Sequence, residues 1–78
     1  MVYEPKAAEL AVKVPFLVKV SISDLNIRKG PGVNYSRVQF CPPGVYTMVA
    51  VSEGAGASMW GKLKSGIGWL SLDFCRRV

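Results

Sequence analysis

The fold of this chain is decided by residues 24–35, DLNIRKGPGVNY, where a short alternating segment runs into a dense cluster of turn-forming residues. Leu25 and Ile27 lie two positions apart, which is the spacing that places side chains on one face of a β-strand. The GPGVN segment at 30–34 follows directly. Glycine adopts positive φ and proline presets φ at about −65°, so this segment favours a sharp turn. The stretch therefore predicts a strand followed by a tightly folded loop.

The segments on either side carry the same β pattern. Residues 18–23 alternate apolar and polar side chains, and residues 45–51 are rich in β-branched and aromatic residues. Residues 59–72 predict a hairpin that turns around Ser65 to Gly68, whereas SEGAGAS at 52–58 predicts a flexible loop. With a short strand at 38–41 and a closing segment after it, the spacing indicates an all-β fold, either a small barrel or a two-sheet sandwich.

Composition excludes most catalytic chemistry. The 78 residues, half of them hydrophobic, suffice for one small core, and the chain contains no histidine. Imidazole-dependent nucleophilic triads, general bases and zinc motifs are therefore excluded. The five carboxylates are scattered singly along the chain. We expect a non-catalytic domain with no metal and no cofactor.

Two further predictions concern the chain's environment and its ends. No apolar run approaches the ~20 residues that span a bilayer, and the start does not resemble a signal peptide, so we expect a soluble piece without membrane insertion. Export would then depend on a signal in a longer parent. Residues 1–14 predict a linker or N-terminal extension, and residues 15–78 the folded domain.

Cys41 and Cys75 are expected to be reduced, buried thiols; the alternative is a disulfide worth about 4 kcal/mol.

Two blocks, DLNIRKGPGVNY at 24–35 and WGKLKSGIGWLSLDF at 60–74, together strongly resemble the bacterial SH3 (SH3b) family. The resemblance covers about residues 16–78 and is closest to the cell-wall-targeting copies in N-acetylmuramoyl-L-alanine amidases and phage endolysins of Gram-positive bacteria. It implies an SH3-like barrel of about five to seven short antiparallel strands. It also implies an extracellular, monomeric module that binds peptidoglycan or muropeptide and tethers the parent chain's catalytic domain to the cell wall.

The candidate ligand-binding residues are aromatic or amide side chains that suit an amphipathic glycan or peptide. Each also has a structural interpretation. Tyr35 could instead cap the core, and Asn34 could serve only the turn. Trp60 is expected at an exposed edge beside the glycine-rich segment, and Trp69 is expected to be half core. The side of the sheet that Tyr46 faces is left open. The predicted groove is lined by Asn34, Tyr35, Tyr46, Trp60 and Trp69.

The remaining predictions from sequence are structural. Arg28 resembles the arginine of the family signature, and we expect it first to donate hydrogen bonds to loop carbonyls and only second to contact a ligand. The predicted core consists of Leu25, Ile27, Val49, Val51, Leu63, Leu70 and Leu72.

The basic balance of the chain suits an anionic wall and leaves other functions open. Ten Lys and Arg against five Asp and Glu give a net charge of +5, which favours approach to teichoic acids by long-range attraction. A small barrel that binds single-stranded nucleic acid is the first alternative, although the charges are dispersed rather than clustered. An SH3-type module for proline-rich peptides is the second, although the loop is basic where such modules are acidic. A purely structural spacer is the least favoured.

Overall fold

The computed structural model describes residues 14–78 and is all-β, as predicted. The seven strands are β1 Phe16–Val20, β2 Leu25–Arg28, β3 Arg37–Cys41, β4 Gly44–Gly54, β5 Ala57–Leu63, β6 Trp69–Ser71 and β7 Cys75–Arg77. A short 3-10 helix, η1, spans Leu72–Phe74 between β6 and β7. Within this range no helix is long and apolar enough to cross a bilayer. The linker predicted at residues 1–14 lies outside the described residues, apart from Val14.

The strands form one antiparallel sheet that curls around a single core. Its order is β3-β2-β6-β5-β4-β1-β7. Val18 and Val20 of β1 pack in the same buried cluster as Leu25 and Ile27 of β2, although three strands separate β1 from β2 in the sheet. Only a strongly curled sheet brings these side chains together. The fold is therefore barrel-like, but in residues 14–78 no hydrogen-bonded ladder joins β3 to β7, so the sheet is not closed.

The second half of the sheet differs from the sequence prediction at the SEGAGAS segment. Residues 52–58 are not a flexible loop, because β4 continues to Gly54 and β5 begins at Ala57, with only residues 55–56 in the turn. Gly54 and Ala57 are cross-strand partners at the end of this hairpin. The polar and glycine-rich composition suggested a loop, but pairing between two long strands overrides the weak local preference.

The predicted core is mostly correct. Of the seven residues, Val49 was wrong: it is 39% exposed, because its neighbour Met48 takes the inward position opposite Leu63 on β5. Val51 and Leu72 are partly buried and pack against the cluster. The residues confirmed as buried are Leu25, Ile27, Leu63 and Leu70.

Candidate functional site

A concave surface of the described chain lies on both sides of the Phe74 ring. Two depressions of about 80 and 190 Å³ share Leu25, Asn26 and Phe74, so they form one shallow groove. Phe74 is 58% exposed and lies between them. We call this surface the Phe74 groove, and its lining consists of Ile22, Asp24, Leu25, Asn26, Arg28, Val33, Gly56, Trp60, Ser71 and Phe74.

Phe74 is held outward by the capping of η1. The Ser71 hydroxyl accepts a hydrogen bond from the Asp73 backbone N–H at 3.2 Å, which turns the chain out of β6. The Asp73 carboxylate accepts hydrogen bonds from the Ser58 backbone N–H at 3.0 Å and from the Ser58 hydroxyl on β5. These local bonds end the strand and start a helical turn, as serine at an N-cap commonly does. The aromatic ring is therefore presented on a fixed support.

One wall of the groove is supplied by the GPG loop, which we define as residues 29–36. The loop is closed at its base by the Lys29 N–H, which donates to the Ser36 carbonyl at 2.9 Å, and inside by the Tyr35 N–H, which donates to the Gly32 carbonyl at 3.1 Å. The Arg28 guanidinium donates to the Tyr35 carbonyl at 2.9 Å. The structural role expected first for Arg28, a donor to a loop carbonyl, is confirmed.

Tyr35 and Asn34, both predicted to bind ligand, are exposed residues in the second half of this loop. The Tyr35 ring packs against Gly30, where any Cβ atom would overlap the ring. Only glycine at position 30 allows this close approach. Neither Tyr35 nor Asn34 lines the Phe74 groove, but Val33, the residue before them, does. The two side chains therefore lie outside the groove, in the residues that directly follow Val33 in its wall.

The GPG loop is docked on the turn between β4 and β5. The Ala55 carbonyl accepts hydrogen bonds from the Val33 N–H at 3.0 Å and from the Trp60 indole N–H at 3.2 Å. The Pro31 carbonyl packs so closely on Gly54 that a Cβ atom there would overlap its oxygen. Two loops distant in sequence are thus joined directly above the Trp60 ring.

This docking explains why the Trp60 ring is buried, whereas Trp69 lies outside the docked loops. Trp60 is only 2% exposed, so the exposed edge expected for it was wrong: the two joined loops cover the ring, which forms the floor of the groove. Trp69 is half-buried and is the cross-strand partner of both Arg28 and Lys62. Directly opposed residues project to the same side of a sheet, so Trp69 shares the outward face with Arg28. The structure thus places Trp60 in the groove and Trp69 on the adjoining sheet face.

Tyr46 lies apart from the residues that line the groove. It pairs with the buried Val18 and packs against the core, which answers the question of which side of the sheet it faces. Its hydroxyl donates a hydrogen bond to the Pro42 carbonyl. Partial burial raises the pKa of Tyr46, and hydrogen bonding to Cys41 raises it further. These contacts are those of a residue that packs the end of the barrel.

Both cysteines are free thiols, in keeping with the sequence prediction. Burial raises the pKa of Cys41, and its hydrogen bond with Tyr46 partly opposes the increase. Burial, with a smaller contribution from the charge of Cys41, raises the pKa of Cys75 to about 12. Because the thiolate is the reactive form, the raised pKa values keep both residues as protonated, apolar packing groups near neutral pH.

Sequence reasoning missed the central residue of the site. If period-two alternation continued from Leu70 through Leu72, it would place Phe74 inside the barrel. The chain leaves this alternation at η1, where Ser71 caps Asp73. The Ser-x-Asp spacing after a strand is the one signal that could have indicated the interruption. Asn26 was missed because it alternates with core residues and has no sequence feature that separates it from an ordinary outward side chain.

No protein-family model, no curated protein and no solved structure matches this chain. The Phe74 groove is therefore identified as the candidate site from its geometry alone. It combines an exposed aromatic ring with the amide of Asn26, the carboxylate of Asp24 and the guanidinium of Arg28. Such a surface stacks on the apolar face of a ligand and hydrogen-bonds its polar edges. It suits a ligand that is amphipathic and extended.

Proposed function

We propose that this chain is a non-catalytic cell-wall-binding module of the bacterial SH3 type, which binds peptidoglycan through the Phe74 groove. In this role it keeps a peptidoglycan hydrolase on the same polypeptide close to its substrate, outside the cell and in the wall of a Gram-positive bacterium. The observation that carries the proposal is the Phe74 groove itself, which is lined mainly by residues of the two sequence blocks that resemble the family.

The shape and chemistry of the groove support a muropeptide or glycan ligand. Sugar rings and stem peptides present apolar faces with polar edges, and Phe74 with Asn26 offers the matching pair of surfaces. The groove is shallow rather than enclosed, with depressions of about 80 and 190 Å³. A shallow groove admits part of a long polymer, whereas a small free metabolite is normally enclosed.

The rigidity of the GPG loop also supports a binding role. The hydrogen bonds within the loop and its docking on the Ala55 carbonyl fix the groove wall before any ligand arrives. A preorganised wall reduces the ordering cost of binding. Asn34 and Tyr35, which are exposed on the same loop, extend the contact surface beyond the groove, and this keeps their predicted ligand-binding role in the proposal.

The test is sedimentation with purified peptidoglycan sacculi. We expect the wild-type chain to bind, and Phe74→Ala to weaken binding by about tenfold or more, because a central aromatic side chain commonly carries that share of an interface. Phe74 is more than half exposed, so its removal leaves the core intact. The matched control is Ile67→Ala, which removes an exposed apolar side chain in the turn after β5.

Two results would contradict the proposal. Sacculi that fail to retain the wild-type chain would remove wall binding altogether. Equal binding by the Phe74→Ala and Ile67→Ala variants would remove the groove as the site. A parallel titration with single-stranded DNA covers the main alternative. Nucleic-acid affinity that falls steeply with salt, together with no retention on sacculi, would favour that alternative.

A further inference from the structure

A second surface, separate from the Phe74 groove, is formed by the outward side chains of β7, β1 and β4. The inward residues of β1 are all buried, so Leu17 and Lys19 project outward. Lys19 is the cross-strand partner of both Arg76 and Val45, and Leu17 is the partner of Thr47 and accepts a backbone hydrogen bond from Val78. We call these two rows the outer β1 face; its members are Arg76, Lys19, Val45, Val78, Leu17 and Thr47.

The outer β1 face places two cations directly opposite each other. Lys19 and Arg76 are paired across neighbouring strands, an arrangement that destabilises a sheet. None of the carboxylate side chains in residues 14–78 relieves it, because Asp24 lines the Phe74 groove, Asp73 is bonded to Ser58, and Glu53 lies at the far end of β4. Two basic side chains whose Cβ atoms lie about 5 Å apart, with no carboxylate side chain of residues 14–78 beside them, form a local site for anionic groups.

The same rows expose aliphatic side chains. Leu17 and Val45 are 45% and 56% exposed and lie in the same two rows as the two cations. A soluble phosphate polymer would contact only the two cations and would leave the aliphatic side chains in water. Protein interfaces are depleted in lysine. A bilayer surface uses both features, since anionic headgroups attract the cations and the headgroup layer accepts aliphatic side chains.

We propose that the outer β1 face binds the surface of an anionic lipid bilayer. Lys19 and Arg76 contact the headgroup phosphates, while Leu17 and Val45 enter the headgroup layer without crossing the membrane. The face is distinct from the Phe74 groove, so this contact does not depend on the proposed function. A chain with both activities would rest on the membrane by one surface and hold its polymer with the other.

The experiment is flotation with two kinds of vesicle: phosphatidylcholine mixed with phosphatidylglycerol, and phosphatidylcholine alone. We expect binding to the anionic vesicles only, and a loss with salt. Lys19→Glu should weaken binding by about tenfold, because it replaces an attraction to the surface with a repulsion. That variant places a carboxylate opposite Arg76, so its melting temperature should not fall, and unfolding cannot account for the loss.

The matched control is Arg37→Glu, which makes the same change of charge on β3 at the other edge of the sheet. If it weakens vesicle binding as much as Lys19→Glu does, binding follows net charge and the outer β1 face is not the site.

A second variant, Val45→Ser, should weaken vesicle binding several-fold but leave binding to inorganic polyphosphate unchanged. If Val45→Ser has no effect on vesicles and polyphosphate competes fully, the ligand is a soluble phosphate polymer and the bilayer proposal is wrong. Failure of the wild type to bind anionic vesicles also overturns the proposal, whatever its binding to sacculi.

Discussion

At the scale of single residues, Trp60 supports the groove from below. Its indole N–H and the Val33 N–H share one acceptor, the Ala55 carbonyl, so the ring is tied to the same point that anchors the GPG loop. A large, buried aromatic ring in this position gives the loops a rigid base. The contribution of Trp60 to ligand binding is therefore expected to be indirect, through the position of the loops.

Trp60→Phe should lower the free energy of unfolding by about 1–2 kcal/mol. The change removes one hydrogen bond worth about 1 kcal/mol and some packing, while the Ala55 carbonyl keeps the Val33 N–H as a donor. Urea denaturation followed by circular dichroism measures the difference. The matched control is Trp69→Phe on β6, where the ring is only half-buried, and we expect a smaller loss. A larger loss in the control would show that the Ala55 bond does not anchor the ring.

The residue scale is also where prediction from sequence was weakest. The alternation of Leu25 and Ile27 correctly indicated two core positions, because burial within a strand follows a local period. The burial of Trp60 depends on Pro31 and Gly54 meeting above it, and this contact joins segments more than twenty positions apart. A single sequence carries no periodic signal for such a contact. Phe74 was missed for a different reason. The local cap at Ser71 ends the alternation, so the period that predicts burial no longer applies at residue 74.

At the scale of elements, the contact between the GPG loop and the β4–β5 turn determines the groove wall. Gly54→Ala would place a Cβ atom on the Pro31 carbonyl oxygen, so the two loops must separate. We expect a loss of about 1–3 kcal/mol, as for other overpacked sites, and a red shift of tryptophan fluorescence as water reaches Trp60. The control is Gly66→Ala in the β5–β6 turn, where φ is +83° and a Cβ atom meets open space. It should cost about 1 kcal/mol from backbone strain without a fluorescence shift. Equal shifts in both variants would contradict the docking interpretation.

Elements were the scale at which the sequence was most informative. The hairpin predicted for residues 59–72 corresponds to β5 and β6, and the strand predicted for 45–51 lies within β4. These segments combine β-branched or aromatic residues with clear turn signals, and the two kinds of signal agree. At SEGAGAS they conflict: glycine and serine favour a loop, while pairing of Gly54 with Ala57 extends the ladder. Tertiary pairing prevailed there, and propensity alone could not show it.

At the scale of the whole molecule, the open seam between β3 and β7 leaves stability dependent on the core that both edges share. Cys41 ends β3 and Cys75 begins β7, and both thiols pack against this core. No covalent bond joins the two edges, since both cysteines are free. The protonated thiols therefore act as apolar residues at the seam, and their protonation connects the fold to pH.

This connection predicts that the domain loses stability in alkaline solution. The ordinary pKa of a cysteine thiol is 9.0, and burial raises the pKa of Cys75 to about 12 in the folded state. The unfolded chain thus releases a proton that the folded chain retains, so the contribution of Cys75 is fully present below pH 9.0 and is lost as pH rises from there to about 12. Urea midpoints measured from about pH 7 to about pH 11 should decline, and Cys75→Ala should reduce the slope of that decline. An equal slope in the alanine variant would show that lysine titration, and not the seam thiol, controls alkaline unfolding.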